Sequence, residues 1–185
     1  MNRQTLITLI VLMSILCAGC WYVFFSKERT VKRQLEQSPA AQVFTVGTST
    51  ATFSDFDGNS VDLNQFLGKL LIVNSWASWS PVSANELLLL TEVARDYSAN
   101  DVVVIAINRA EPKRTAEMFL DTLGLTDEVY LIIDSDDSYY KAVGGYAMPE
   151  TVLYDKKGNA IVHKRGPVSA EELRLLLDNT LSQQE

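Results

Sequence analysis

The sequence has almost no cysteine or histidine. Its 185 residues include two cysteines, Cys17 and Cys20, and both lie in an apolar segment near the amino terminus. A disulfide or a thiolate metal site needs cysteine on the folded part of the chain, and no cysteine is present after residue 20. His163 is the single histidine. A metal centre built from several histidines is therefore excluded, and we expect neither a metal nor another cofactor.

Positive charge is also in short supply, and most of the chain is acidic. The formal net charge is -7, from 16 basic and 23 acidic residues. Five of the basic residues and only two of the acids precede residue 40, so the remainder carries 11 basic against 21 acidic groups. A surface of this sign repels a phosphate backbone, whose binding depends on Lys and Arg. Nucleic acid is therefore not an expected partner.

Long hydrophobic runs are absent except at residues 5–25, which contain no charged side chain. At about 1.5 Å per residue, a helix of this length measures roughly 31 Å, close to the thickness of a bilayer core. Trp21 and Tyr22 suit the membrane interface, and Arg3 gives residues 1–4 the basic character of an n-region. We predict one transmembrane helix over residues 5–25, because the run exceeds the apolar part of a cleaved signal peptide.

Two features of this segment leave alternatives open. Cys20 follows Ala-Gly, as a lipidated cysteine would, although Cys17 stands where such signals usually carry an aliphatic residue. A lipoprotein anchor is therefore the alternative to a spanning helix. Four basic residues follow the run and one precedes it, which by the positive-inside rule favours a cytoplasmic carboxyl-terminal domain.

The rest of the chain divides into a short stalk and one domain. Residues 26–42 are polar and include Pro39, as in a linker, whereas residues 43–185 contain no linker and no repeat. Hydrophobic periodicity predicts a hairpin about the turn 57–59, strands over 70–76, 101–108, 129–133, 151–155 and 160–165, and helices over 81–97, 112–123, 136–143 and 169–181. This alternation predicts an α/β fold with a central mixed β-sheet and helices on both faces.

Two stretches of this domain carry recognisable motifs: FSDFDG at 53–58 with LGKLLIVNSWASW at 67–79, and YAMPETVLYD at 146–155 with Gly158 and Gly166-Pro167. Together they resemble the membrane-anchored thioredoxin-like proteins of the TlpA, ResA and DsbE group. The resemblance covers residues from about 43 to 182. It implies a thioredoxin-like fold held outside the cytoplasmic membrane, on the periplasmic side, by one helix. We therefore expect this orientation despite the count of basic residues.

The chain departs from this family at the residues that carry its chemistry. Thiol–disulfide exchange needs Cys-x-x-Cys at a helix amino terminus, and Ser80 and Ser83 occupy those positions. Serine forms neither a thiolate nor a disulfide, so no catalytic residue is assigned. We predict that Ser80 caps the helix and that Pro81 is its first residue. A serine nucleophile is disfavoured because His163, on the closing hairpin, is expected to lie far from Ser80.

Other positions of the family site remain. The resemblance implies a cis bond before Pro149, in a loop that faces the helix end and pairs with a substrate chain by strand addition. The residues implied to line this groove are Trp79, Pro81, Met148, Pro149 and Glu150. Glu86 and Glu150 match the family's acids, and without thiols we expect each to be solvated or hydrogen-bonded.

Three further side chains on or before the helix carry expectations. Leu88 stands where the family usually has a helix-kinking proline, which predicts a straighter helix. Trp76 and Trp79 flank the groove, and we expect at least one of them to be in the core.

The leading hypothesis is a membrane-anchored thioredoxin-like module that binds a polypeptide at the groove and does not exchange disulfides. The alternative is a Cys-to-Ser form of a thiol–disulfide reductase that acts in periplasmic disulfide reduction or cytochrome c maturation. A membrane subunit with a purely structural role is a third possibility, for which the groove would be irrelevant.

Overall fold

The computed structural model describes residues 4, 12–22, 26, 44–46, 52–97, 101–125 and 129–182. The chain divides into two compact units, Met1–Gln37 and Ser38–Glu185. In the first unit, residues 12–22 are helical and exposed. Residues 5–11 and 23–25 of the predicted transmembrane helix, residues 1–3 of the predicted n-region and residues 27–42 of the predicted stalk lie outside the described residues. Among the residues that are described, no helix combines the length and apolar character needed to cross a bilayer.

The second unit contains seven strands and four α-helices within its described residues. The strands are β1 (Thr52–Asp55), β2 (Ser60–Asp62), β3 (Leu70–Trp76), β4 (Val102–Arg109), β5 (Tyr130–Asp134), β6 (Glu150–Tyr154) and β7 (Ala160–Arg165). The helices are α1 (Ser83–Asp96), α2 (Lys113–Leu123), α3 (Ser138–Ala142) and α4 (Ala170–Ser182), and a 3₁₀ helix covers Leu63–Phe66. All the predicted elements of this unit are present, with ends within about two residues of those expected.

The strands form one mixed sheet in the order β2-β1-β5-β4-β3-β6-β7. Strands β3, β4 and β5 are parallel, whereas the pairs β1–β2, β1–β5, β3–β6 and β6–β7 are antiparallel. The central strand β3 is buried along its whole length, which explains its nearly continuous apolar sequence.

Helices cover both faces of the sheet, as predicted. On one face, Ile105 and Ile107 of β4 pack in a cluster with Tyr139 of α3. On the other face, Ala106 packs with Leu87 of α1 and with residues of α2. Successive strand residues point to opposite faces, so a single buried strand supplies both cores.

Two turns of the same sequence pattern close the two hairpins. In each, an aspartate carboxylate accepts hydrogen bonds from the amides two and four residues later, in Asp55–Asn59 and in Asp155–Asn159. The fourth residue is glycine in both, with φ of 86° at Gly58 and 83° at Gly158. The aspartate and the left-handed glycine together encode these turns locally.

One edge of the sheet carries the residues of the family site. Strands β3, β4, β5 and β7 end at this edge, β6 begins there, and the loop after β3 leads into α1. The register pairs Ser75 with Glu150, so the loop after Trp76 and the loop before Glu150 are neighbours. We call this edge the site edge.

Candidate functional site

The two tryptophans before the helix have opposite surroundings. Trp76 is fully buried, and its ring stacks on Phe119 of α2 with centroids 5.4 Å apart. Trp79 is 63% exposed. The expectation that at least one of them belongs to the core is confirmed, because Trp76 does. Trp79 is left on the surface of the loop between β3 and α1.

The structure corrects the predicted helix start. Helix α1 begins at Ser83, with Val82 as its N-cap residue and no side chain in the capping role. The Ser80 carbonyl accepts a hydrogen bond from the Ser83 amide at 3.2 Å, so Pro81 and Val82 form a turn before the helix. Ser80 therefore contributes its backbone to this turn and does not cap the helix with its hydroxyl.

The two serine hydroxyls are enclosed. Ser80 is 2% exposed and Ser83 is fully buried. Neither hydroxyl has a hydrogen-bond partner within the part of the chain that the structure describes. A nucleophilic serine needs a base in hydrogen-bond reach, and none of the described residues supplies one.

His163 contacts the carboxylate of Glu150. Its Nε2 lies 3.1 Å from Glu150 Oε2, and both side chains are buried. The sequence argument placed His163 far from Ser80; the structure places it against Glu150, a residue of the predicted groove. The strand register explains this, since β7 pairs with β6 and places His163 opposite Val152, close to Glu150.

Glu86 is buried on the first turn of α1 and is hydrogen-bonded, as expected for an acid with no thiol to tune. Its Oε1 accepts hydrogen bonds from Asn74 Nδ2 at 2.9 Å and from Thr151 Oγ1 at 2.7 Å, and its Oε2 accepts one from the Val168 amide at 3.0 Å. Burial raises the pKa of Glu86, against the lowering effect of these bonds. The carboxyl group thus ties α1 to β3, β6 and the segment before α4.

The loop over residues 144–149 is held at several points. The Met148–Pro149 peptide bond is cis, as the resemblance implies. Tyr140 Oη donates a hydrogen bond to the Ala147 carbonyl at 2.7 Å, and the Gly166 amide donates to the Pro149 carbonyl at 2.9 Å. A Cβ at Gly145 would lie 2.5 Å from the Tyr140 ring, so only glycine fits there.

Glu150 is the main internal anchor of this loop. Its Oε1 accepts hydrogen bonds from the Tyr146 and Ala147 amides, both at 2.9 Å, while its Oε2 contacts His163. Burial raises the pKa of Glu150, but the bonds from His163 and the two amides outweigh it, so the net pKa is lowered. With 1% exposure, Glu150 supports the predicted groove from below and does not line its surface.

A second carboxylate, which sequence reasoning missed, holds the loop that carries Trp79. Glu111 Oε2 accepts from the Ser78 amide and from Asn108 Nδ2, both at 2.8 Å, and Glu111 Oε1 accepts from Ser78 Oγ at 2.6 Å. Ala110 has φ of 45° and donates its amide to the Asp134 carbonyl, which turns Glu111 back over the site edge. The sequence contained a signal for a polar site here, since Asn108 and Glu111 are polar residues at the end of a buried strand.

The exposed side chains at the site edge are largely apolar. Of the predicted groove residues, Trp79 and Pro81 are exposed, Met148 is half-buried, and Pro149 and Glu150 are buried. Two exposed residues were not predicted: Val82, and Tyr146, which is 76% exposed. We call the accessible set the apolar rim; it consists of Trp79, Pro81, Val82, Tyr146 and Met148.

Arg165 contacts a rim residue, whereas Arg109 contacts the Tyr140 ring that supports the cis-proline loop. The Arg165 guanidinium is 4.9 Å from the centre of the Tyr146 ring, with its Nε 4.0 Å from Glu150 Oε1. Arg109 lies over the Tyr140 ring and forms a bidentate pair with Asp137, which raises the pKa of Arg109 and lowers that of Asp137. No group of three or more potential metal ligands occurs among the described residues.

A mixed sheet of this order, with a helix starting beside a loop that contains a cis proline, defines a thioredoxin-like protein. The chain belongs to the Redoxin family, whose model matches residues 37–176. That Ser80 and Ser83 occupy the positions of this group's two cysteines stays a prediction from the sequence resemblance.

Individual relatives agree with this assignment. The thiol-disulfide oxidoreductase ResA of Geobacillus thermodenitrificans is 27% identical over 178 residues, which are 96% of this chain and 97% of ResA. The structure of DsbF from MTB has a TM-score of 0.62 and 22% identity, covering 77% of this chain and 98% of DsbF. A thiol:disulfide interchange protein from Chlorobium tepidum has a TM-score of 0.60 and 21% identity, covering 71% and 92% of the two chains. The two structures support the fold, and ResA places the chain among relatives of thiol–disulfide oxidoreductases.

Proposed function

We propose that this protein is a membrane-anchored thioredoxin-like module that binds a polypeptide along the apolar rim and does not exchange disulfides. The observation that carries the proposal is the combination, at one edge of the sheet, of buried serines in place of thiols with exposed apolar side chains. Trp79 and Tyr146 are 63% and 76% exposed, although each belongs to a loop held firmly from within. Exposed aromatic side chains on a rigid support are typical of binding surfaces.

The backbone beside the rim also supports a polypeptide partner. Met148 is half-buried, and its amide and carbonyl form no hydrogen bond within the described part of the chain. An extended chain that lay along the loop would pair with these groups, and its side chains would contact Trp79 and Tyr146. This mode needs no thiol, so it is compatible with the serines.

We further propose that residues 5–25 anchor the protein in the cytoplasmic membrane, with the domain on the extracytoplasmic, periplasmic side. The support is the uncharged apolar run and the resemblance to membrane-anchored relatives. The partner would then be a protein of the same compartment or of the membrane.

A second candidate is a Cys-to-Ser form of a thiol–disulfide reductase of periplasmic disulfide reduction or cytochrome c maturation. The observation that favours it is that Glu86 and Glu150, which the resemblance matches to the family's acids, are both buried and hydrogen-bonded. This candidate predicts that restored cysteines would exchange disulfides, a test developed in the Discussion.

The binding proposal is tested with the full-length chain in mild detergent. The probe is reduced, S-carboxymethylated lactalbumin, a permanently unfolded polypeptide without free thiols. We expect Trp79→Ala to weaken its binding by about tenfold or more, as truncation of an aromatic anchor does. Met118→Ala is the matched control, because Met118 is 59% exposed on α2 and lies outside the rim. Absence of binding by the wild type, or equal binding by both variants, would overturn the proposal.

A further inference from the structure

The single histidine of the chain lies directly beneath the apolar rim. His163 is on β7, its side chain is fully enclosed, and its Nε2 contacts Glu150 Oε2 at 3.1 Å. Glu150 is enclosed as well. An unpaired carboxylate in the protein interior is strongly unfavourable, so the buried Glu150 side chain needs hydrogen-bond partners such as this imidazole.

The other carboxylate oxygen of Glu150 binds the loop that contains the cis proline. While Oε2 contacts His163, Oε1 accepts the amides of Tyr146 and Ala147. His163 therefore fixes the orientation of a carboxylate that in turn fixes two consecutive amides of the loop. Tyr146 and Met148, two members of the apolar rim, belong to this same loop.

The remaining charged group near Glu150 does not replace His163. Arg165 Nε is 4.0 Å from Glu150 Oε1, beyond hydrogen-bond distance, and the Arg165 guanidinium lies beside the Tyr146 ring. Arg165 therefore contacts the aromatic side chain at the rim, whereas His163 holds the carboxylate below it.

We propose that His163 is a positioning residue of the polypeptide-binding surface, which acts through Glu150 to hold the Tyr146–Met148 segment in its binding conformation. This inference rests on the proposed function. His163 does not touch the bound chain; removing its contact leaves Glu150 free to turn, so the two loop amides lose their shared acceptor.

The test uses variants of the full-length chain in mild detergent. His163→Phe keeps a ring but removes the donor to Glu150. His163→Gln places an amide nitrogen near the position of Nε2 and so keeps a donor. Lys164→Gln is the matched control, because Lys164 is on the same strand as His163 but does not contact the loop. This variant removes the contact of the Lys164 ammonium with Glu172, at 2.8 and 3.0 Å. His163→Asn, whose amide is too short to reach Glu150, tests the same contact if the phenylalanine variant does not fold.

The first measurement is amide hydrogen exchange. We expect His163→Phe to speed exchange at Tyr146 and Ala147 by about tenfold or more, corresponding to the loss of one hydrogen bond of ~1.4 kcal/mol. Exchange at Ile105, in the middle of β4 and away from β7, should stay unchanged, and His163→Gln and Lys164→Gln should resemble the wild type. Faster exchange at Ile105 to the same degree would show general destabilisation and would overturn the positioning role.

The second measurement is binding of reduced, S-carboxymethylated lactalbumin. We expect His163→Phe to weaken binding by about tenfold, and His163→Gln to stay within about threefold of the wild type. Unchanged binding by His163→Phe, with weaker binding by Trp79→Ala, would overturn the role of His163 while the proposed function stands. If the wild type binds no probe, the proposed function fails and the positioning role fails with it.

Discussion

The contact between Glu111 and Ser78 gives the sharpest prediction for the loop that carries Trp79. Glu111→Ala removes the acceptor of three hydrogen bonds, two from Ser78 and one from Asn108. Asn108 is fully buried and Ser78 is half-buried, so water only partly replaces the lost acceptor. A hydrogen bond to a charged group contributes about 1.5–3 kcal/mol, and neighbouring losses are not additive, so we expect about 2–4 kcal/mol of destabilisation.

The isosteric variant separates hydrogen bonding from charge. In Glu111→Gln the amide oxygen can accept from the Ser78 amide and from Asn108, while the amide nitrogen donates to the Ser78 hydroxyl, which is able to accept. All three contacts survive, so we expect a loss below about 1 kcal/mol. Glu117→Ala is the control, because Glu117 forms an exposed pair with Lys113 on α2 at 3.4 Å and contributes only a few tenths of a kcal/mol.

The first assay is urea unfolding of the full-length chain, monitored by far-UV circular dichroism. The second is hydrogen exchange at the Ser78 amide under native conditions. In a thermal scan, a loss of 2–4 kcal/mol would lower the Tm of a domain of this size by roughly 4–16 °C. If Glu111→Gln is as destabilising as Glu111→Ala, the charge of Glu111 is what matters and the hydrogen-bond account is wrong. An alanine variant as stable as the Glu117→Ala control would show that this contact does not hold the loop.

Three further predictions concern the same edge of the sheet. Ser80→Cys combined with Ser83→Cys should reduce insulin disulfides at least about tenfold faster than the wild type, because the α1 amino terminus favours a thiolate; no gain would count against the Cys-to-Ser alternative. Trp76→Ala should cost about 3–5 kcal/mol in urea unfolding and Trp79→Ala less than about 1 kcal/mol, and equal losses would contradict their different burial. The raised pKa of Glu86 gives stability that is complete below the unfolded-state pKa and is lost as pH rises through the folded-state pKa. The wild type should therefore lose stability relative to Glu86→Gln as pH rises from about 4 to 8, and a constant difference would refute the direction of this shift.

Local chemistry made most of the fold predictable. The apolar run of β3, the Asp-x-x-Gly-Asn turns and the Ser169 cap of α4 each act over a few residues, and each is present in the structure. Ser169 and Glu172 have the spacing of a capping box, in which the glutamate would accept the Ser169 amide, but the Glu172 carboxylate binds Lys164 of β7. The predicted helix start at Pro81 was also wrong by two residues, since a turn through Pro81 precedes the observed start at Ser83.

The sequence by itself determined the mixed α/β order, the absence of thiols from the domain and the positions of the family site. These properties depend on residue identity and on spacing along the chain. Only the tertiary structure decided which acids support the site and which aromatic side chains reach its surface. Glu111 meets Ser78 across 33 positions of the chain, and His163 meets Glu150 through the pairing of β6 with β7. Such contacts depend on where the sheet brings distant segments together, and periodicity carries no information about that.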